Sequence, residues 1–206
     1  MTLDPKKVGG VVDYWYHRIK HCNEVSYPLF DMGYLTTGLS EIALQYPKIV
    51  TGAFDKNDIK KIFEYTYKKR HNKILFENVK GVFKERSLPA SWSFFSFVCE
   101  FKVGDKVMVP DYPVKSHFVI CEVLEKADLI GNLPIKQLVD TNGNNITLED
   151  ALLRRDYKEF IDLGFFIKVK ILTKPIDGVL KGLLAPSGSL NKIGDQIEEF
   201  IKKNSI

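Results

Sequence analysis

The chain has 206 residues, 45% of them hydrophobic and 12% aromatic, enough for one sizeable core and one main domain. No stretch approaches the roughly 18 uninterrupted apolar residues of a membrane span, and the opening MTLDPKKVGG lacks the apolar centre of a secretory signal, so a cytoplasmic protein with no membrane partner is expected. The net charge of +4 is uneven: residues 56–86 hold ten Lys and Arg against four Asp and Glu, a local +6 that leaves −2 for the rest.

Residues 1–10 read as a flexible N-terminus, followed by a single domain over 11–206. Val11 to Ile19, VVDYWYHRI, is rich in aromatic and β-branched residues and predicts a strand. VSYPLFDMG predicts a short helix closed by Gly33, and YLTTGL a second strand. A basic helical insertion spans about 55–90. In it Asp55 caps a helix with Ile59, Ile62 and Phe63 on one face and a basic end at Lys68, Lys69, Arg70, His71 and Lys73. Cations there also suit a helix C-terminus, so a solvated, stabilised helix end stands beside a phosphate-contacting surface as a reading.

LPASWSFFSFVCEF places Trp92, Phe95, Val98 and Cys99 at helical spacing, with Ser91 or Ser93 as cap, and predicts a buried helix. A lysine-valine-glycine-aspartate turn then launches KVMV. Val107, Met108 and Val109 run together without alternation, as do Phe118 to Cys121 in the returning FVICEVL, so both strands are expected to be buried on both faces. Between them DYPVKSH, with proline and charged residues, reads as a solvated hairpin loop. Asp140 to Asn145, DTNGNN, is a turn or exposed loop; TLEDALLRRDYKEFIDLG is a helix capped by Thr147 and ended by Gly164; GFFIKVKILTKPI alternates from Phe166 as a further strand. Ile193, Ile197 and Ile201 stack on one face of a C-terminal amphipathic helix over 190–203.

Three widely spaced cysteines, Cys22, Cys99 and Cys121, offer neither a disulfide framework nor a CxxC metal knuckle and read as reduced thiols. No cofactor or metal is expected. Pro110-Asp111 and Glu122 evoke a metal-dependent nuclease core, but Leu124 stands where that core needs lysine, and the triplet Glu100-Phe101-Lys102 has no suitable upstream aspartate. Nucleotide-hydrolysis, HExxH and GxSxG motifs are missing from the sequence. His17 and His21 share the i, i+4 spacing of a helical metal pair, but His17 falls in a predicted strand. The chain is therefore read as not an enzyme.

The ordered series DYWYHRI, GYLTTGLSEI, FVCEFKVGDKVMVP, FVICEVLEKA, FFIKVKIL and LNKIGDQIEEFIK resembles the N-terminal modules of Mrr- and McrB-type restriction systems, over most of the chain from Tyr14 to Lys203. Those modules are PUA-like and similar to EVE domains, so the resemblance implies an α+β fold, a small mixed β-barrel with peripheral helices. The sequence departs from them at Leu39, where tryptophan is common after the glycine, at Ser96 in place of arginine, and at Val119 to Cys121, where a glycine is common.

The resemblance implies a non-catalytic DNA-recognition module of a restriction or defence system, acting with a partner nuclease or motor subunit and reading a modified, flipped base. Such a reader needs aromatic faces to stack on the base and polar groups to meet its edge. Trp15, Tyr16, Trp92, Tyr112 and Phe118 are the aromatic candidates, and Arg18, Ser93, Asp111 and His117 the polar ones. Trp15 and Tyr16 must point to opposite faces of a strand, so only one can line a pocket. Core packing competes with stacking for Trp15 and Trp92, whereas Tyr112 lies in the expected loop. Lys60, Lys61, Lys68, Lys69, Arg70 and Lys73 are the phosphate-binding candidates. The alternative is a protein-interaction or scaffold module, in which the C-terminal helix or an aromatic surface docks a partner and the basic segment serves solubility.

Overall fold

In the computed structural model the described residues are 11–19, 23–66, 95–149, 163–178, 188–189 and 194–206. They form a mixed α+β fold around one curled, half-barrel-like sheet. Strand β1 (Tyr14–Tyr16) is followed by helix α1 (Asn23–Asp31), β2 (Tyr34–Thr37), α2 (Ser40–Gln45) and a 3-10 turn (Pro47–Thr51). Helix α3 is described over 56–66 and α4 over 95–99. Strands β3 (Lys106–Pro110), β4 (His117–Val123), β5 (Asp128–Leu129), β6 (Gln137–Val139) and β7 (Asn145–Thr147) come next. A helix, α5, opens at 148–149; then come β8 (Phe165–Ile171), β9 (Ile176–Asp177), β10 (Gly188–Ser189) and α6 (Gly194–Asn204).

The sheet runs β10-β1-β3-β4-β8-β2, with β9 pairing to β4 and β5 to β8, while β6 and β7 make a separate hairpin. Only β1 and β3 pair in parallel, Trp15 opposite Val107 and Tyr16 opposite Met108; every other described pairing is antiparallel. The curl brings β2, at one end of the order, back toward β1. His17, just past β1, donates from Nε2 to the Thr36 carbonyl of β2 at 3.0 Å, its ring lying against Phe97 with centroids 4.6 Å apart.

Alternation along the strands sorts side chains into three cores. The concave face carries Trp15, Val107, Val109, Val119, Cys121, Val123, Phe165, Ile167 and Val169, closed by Phe30, Ile42, Ile59, Phe63, Phe95 and Phe97 from the helices. On the convex face Tyr16, Met108, Phe118 and Ile120 meet Ile197, Phe200 and Ile201 of α6. At the other end of that face Tyr34 and Phe166 meet Val25 and Leu29 of α1 and the β6–β7 hairpin. The unalternating runs of β3 and β4 are thus buried on both faces, as continuous apolar strands require.

Several expectations are adjusted. The first strand covers only Tyr14–Tyr16, because β3 supplies ladder partners there and Val11 and Val12 lie exposed before it. Helix α1 starts two residues earlier than the expected Val25, and Gly33 (φ 87°) closes it by donating to the Phe30 carbonyl. The strand expected from Phe166 to Ile176 begins at Phe165 and divides into β8 and β9 at Thr173, whose hydroxyl accepts from the Ile120 amide. Of the helix expected over 147–164 only the start is described, and residues 1–10 and 190–193 lie outside the described residues. No described helix is long and apolar enough to cross a membrane.

Candidate functional site

The glycine-aspartate turn ends in Asp105, a carboxylate only 2% exposed. Its Oδ1 accepts from the Asp13 amide at 3.2 Å, and its Oδ2 from the Lys102 amide at 2.9 Å and the Trp15 indole Nε1 at 2.7 Å. Buried charge of this kind persists only when its lone pairs are met by donors. Trp15 is consumed by this contact and by Phe101, whose ring lies 4.9 Å away, so it belongs to the concave core.

Tyr16 emerges on the opposite face, and its hydroxyl reaches the mouth of the β3–β4 hairpin. Arg18 donates to it from Nη2 at 3.0 Å and lies 3.8 Å from Oδ2 of Asp111. Tyr27 of α1 donates to the Asp111 carbonyl at 2.9 Å. Burial, and then the Asp111 charge, push the Tyr27 phenol above its ordinary pKa. Asp111 itself has φ 56°.

Tyr112 corrects the expectation of a solvated loop residue: it is 5% exposed, edge-on to Phe30 and Tyr27, and its hydroxyl donates to Asp31. Burial first, then Asp31, raise its pKa well above that of a free tyrosine. Proline and charged residues marked the segment as loop, but a large ring beside a helix with an available carboxylate gains more from burial than from water. His117 is likewise the first residue of β4 rather than a loop residue, half-buried and paired with Asp177 of β9. The structure therefore brings Tyr16, Arg18 and Asp111 together at one end of the hairpin, while the Tyr112 and Trp15 rings turn into the concave core. Trp92 and Ser93 lie outside the described residues.

The basic insertion begins as expected. Asp55 caps α3, its Oδ1 accepting from the Asn57 and Asp58 amides at 2.8 and 2.9 Å, and the Asp58 amide in particular holds its pKa below the usual carboxylate range. Ile59 and Phe63 turn into the concave core, which leaves Lys56 and Lys61 exposed and Lys60 half-buried; Lys61 lies 3.3 Å from Asp58. Lys68, Lys69, Arg70 and Lys73 lie outside the described residues.

Among the described residues no cluster of three or more His, Cys, Asp or Glu could hold a metal ion. Glu122, weighed above as a nuclease acid, is held by Lys106 across the β3–β4 ladder. Cys121 is buried, its thiol contacting the Val107 carbonyl at 3.5 Å, and burial raises the pKa of Cys99 to about 11. Neither thiol is poised as a nucleophile. Sequence reasoning missed Asp31 and Tyr27, whose link to the hairpin rests on contacts 81 and 84 residues apart in the chain. Comparison with protein-family models, with curated proteins and with solved structures found no match.

Proposed function

We propose that the chain is a non-catalytic nucleic-acid-binding module that recognises duplex DNA, its curled sheet being a PUA-like, EVE-like barrel. The observation that carries this reading is the charge segregation: a segment of +6 in a chain of +4, opening on a helix whose apolar side is spent on the core and whose Lys56 and Lys61 are exposed. Such a concentration of cations supplies sequence-independent phosphate affinity. The segments that resemble restriction-system modules form β1, β2, β3, β4, β8 and α6, and it is that resemblance which suggests work alongside a nuclease or motor subunit. The protein-docking alternative loses its best motif, because Ile197, Phe200 and Ile201 of α6 already pack on the sheet.

Fluorescence anisotropy with short duplexes, unmodified or carrying methylated or hydroxymethylated bases, at two salt concentrations tests the reading. The expected result is salt-sensitive binding that is lost when Lys60, Lys61, Lys68, Lys69 and Arg70 are changed to Ala. Preference for a modified duplex would add base recognition. No binding to any duplex at low salt would overturn the reading.

A further inference from the structure

We infer that the tip of the β3–β4 hairpin, together with Arg18, is a preformed contact element that meets the nucleic acid, Arg18 on a backbone phosphate and Val114 against the adjoining sugar or base. The inference rests on the DNA-binding reading above and names the surface that would carry it. Pro113, Val114, Lys115 and Ser116 are all exposed, Val114 at 55%. A lone exposed valine needs no explanation; what singles out this one is how firmly its loop is held.

The tip is flanked by two non-glycine residues in the left-handed region, Asp111 (φ 56°) and Ser116 (φ 69°), a costly backbone that persists only where the surroundings impose it. Those surroundings come from three other parts of the chain. Helix α1 holds the loop through Tyr27 on the Asp111 carbonyl and Asp31 on the Tyr112 hydroxyl. The segment after β9 donates its Gly178 amide to the Ser116 carbonyl at 3.0 Å. Arg18 reaches in from the end of β1. A loop ordered before it binds loses little entropy on contact.

The Asp111 carboxylate ties Arg18 to the tip, with Oδ2 3.8 Å from the guanidinium and Oδ1 3.4 Å from the Ser116 amide. At 3.8 Å the ion pair is beyond hydrogen-bonding distance, and with Arg18 45% and Asp111 22% exposed it is a long, partly solvated contact that leaves the guanidinium free to turn to a phosphate. Arg18 is 45% exposed, steered by the Tyr16 hydroxyl and ring, and its hydrogen bond uses Nη2 alone. Among the described residues both contacts of the guanidinium run through Nη2, and a planar guanidinium with further N–H donors suits a phosphate.

The test is anisotropy of wild type, Arg18→Ala, Arg18→Lys and Val114→Ser on one unmodified duplex across a salt series, with thermal melts of each variant. Arg18→Ala is expected to weaken binding about fivefold or more and to lower the salt slope by about one. Arg18→Lys should keep the slope without the full affinity, and Val114→Ser should weaken binding at unchanged slope. Should Arg18→Ala fail to fold, the other two variants decide. If wild type binds and the folded variants bind as it does, the hairpin assignment is overturned and the DNA-binding reading stands. If wild type binds no duplex at low salt, both fall.

Discussion

Trp15 and Asp105 are joined by a 2.7 Å hydrogen bond from the indole Nε1 to a carboxylate that is itself almost wholly buried, across 90 residues of chain. The bond locks the turn before β3 onto the strand that β3 pairs with in parallel. Asp105→Ala would strand three donors, the Asp13 and Lys102 amides and the indole. At about 1–3 kcal/mol for each unmet buried group, the loss should reach about 3 kcal/mol or more in urea denaturation. Trp15→Phe, which removes one donor and keeps a ring, should lose less than that. A loss under about 1 kcal/mol for Asp105→Ala would show that water replaces the carboxylate.

Thr36 presents the opposite case. Its hydroxyl is buried with no hydrogen-bond partner among the described residues, while its carbonyl serves His17. Thr36→Val removes the desolvated oxygen, retains the shape and leaves the carbonyl bond untouched. It should raise stability by about 1 kcal/mol, read as a higher urea midpoint at unchanged m-value. A fall of that size would mean the hydroxyl has a partner in solution.

Leu39 sets two effects against each other, since it has φ 65° and ψ 49° yet is only 1% exposed. The left-handed conformation costs about 1–2 kcal/mol for a residue with a Cβ, whereas truncating a buried leucine costs about 2–5 kcal/mol. Burial wins, so both Leu39→Ala and Leu39→Gly should destabilise. Glycine should be the milder by about 1 kcal/mol because it alone escapes the backbone cost. The reverse order would mean that the φ relaxes.

Gly164 faces this same corner. A Cβ there would lie 2.8 Å from the Gly38 carbonyl oxygen and 2.9 Å from the Leu39 carbonyl carbon and oxygen, all backbone atoms that cannot swing aside. Its amide also donates to the Thr37 carbonyl, joining β8 to the end of β2. Gly164→Ala should therefore lower stability by about 2 kcal/mol or more. Gly131→Ala, with nothing near its Cβ, is the matched control and should be close to neutral.

Tyr14 predicts an alkaline dependence. Burial first, and then the hydrogen bond to Glu198 of α6 and that residue's charge, raise its pKa from 10.0 to about 12. A phenol whose folded pKa exceeds its unfolded value contributes stability that is complete below pH 10 and is lost as pH rises through about 12. Stability should fall over that interval, and Tyr14→Phe should make the fall shallower. Tyr112, raised further in the same sense, should account for part of what remains. An identical profile for Tyr14→Phe would remove Tyr14 from the account.

What could be read from the sequence was local. The unbroken apolar runs of β3 and β4, the Asp55 cap, the Gly33 stop and the DTNGNN turn each depend on neighbours within a few residues. In that turn Asp140 accepts from the amides of Asn142 and Asn144. The apolar stripe of α6 was legible for the same reason: a period of 3.6 residues needs no knowledge of what it packs against. Even the opposite faces of Trp15 and Tyr16 follow from the strand's two-residue repeat.

Which elements meet was decided only in three dimensions. Nothing near Tyr112 in the chain announces Asp31, nothing near Asp105 announces Trp15, and nothing near His17 announces the Thr36 carbonyl. Hydrophobic patterning states how much surface an element must bury but not against whom, because burial is non-directional. Hydrogen bonds choose the partner, and they do so by geometry that exists only once the sheet has curled. Composition thus determined that there would be a core and a basic segment, while the fold decided that Trp15 would brace a turn and Arg18 would stand at the mouth of the hairpin.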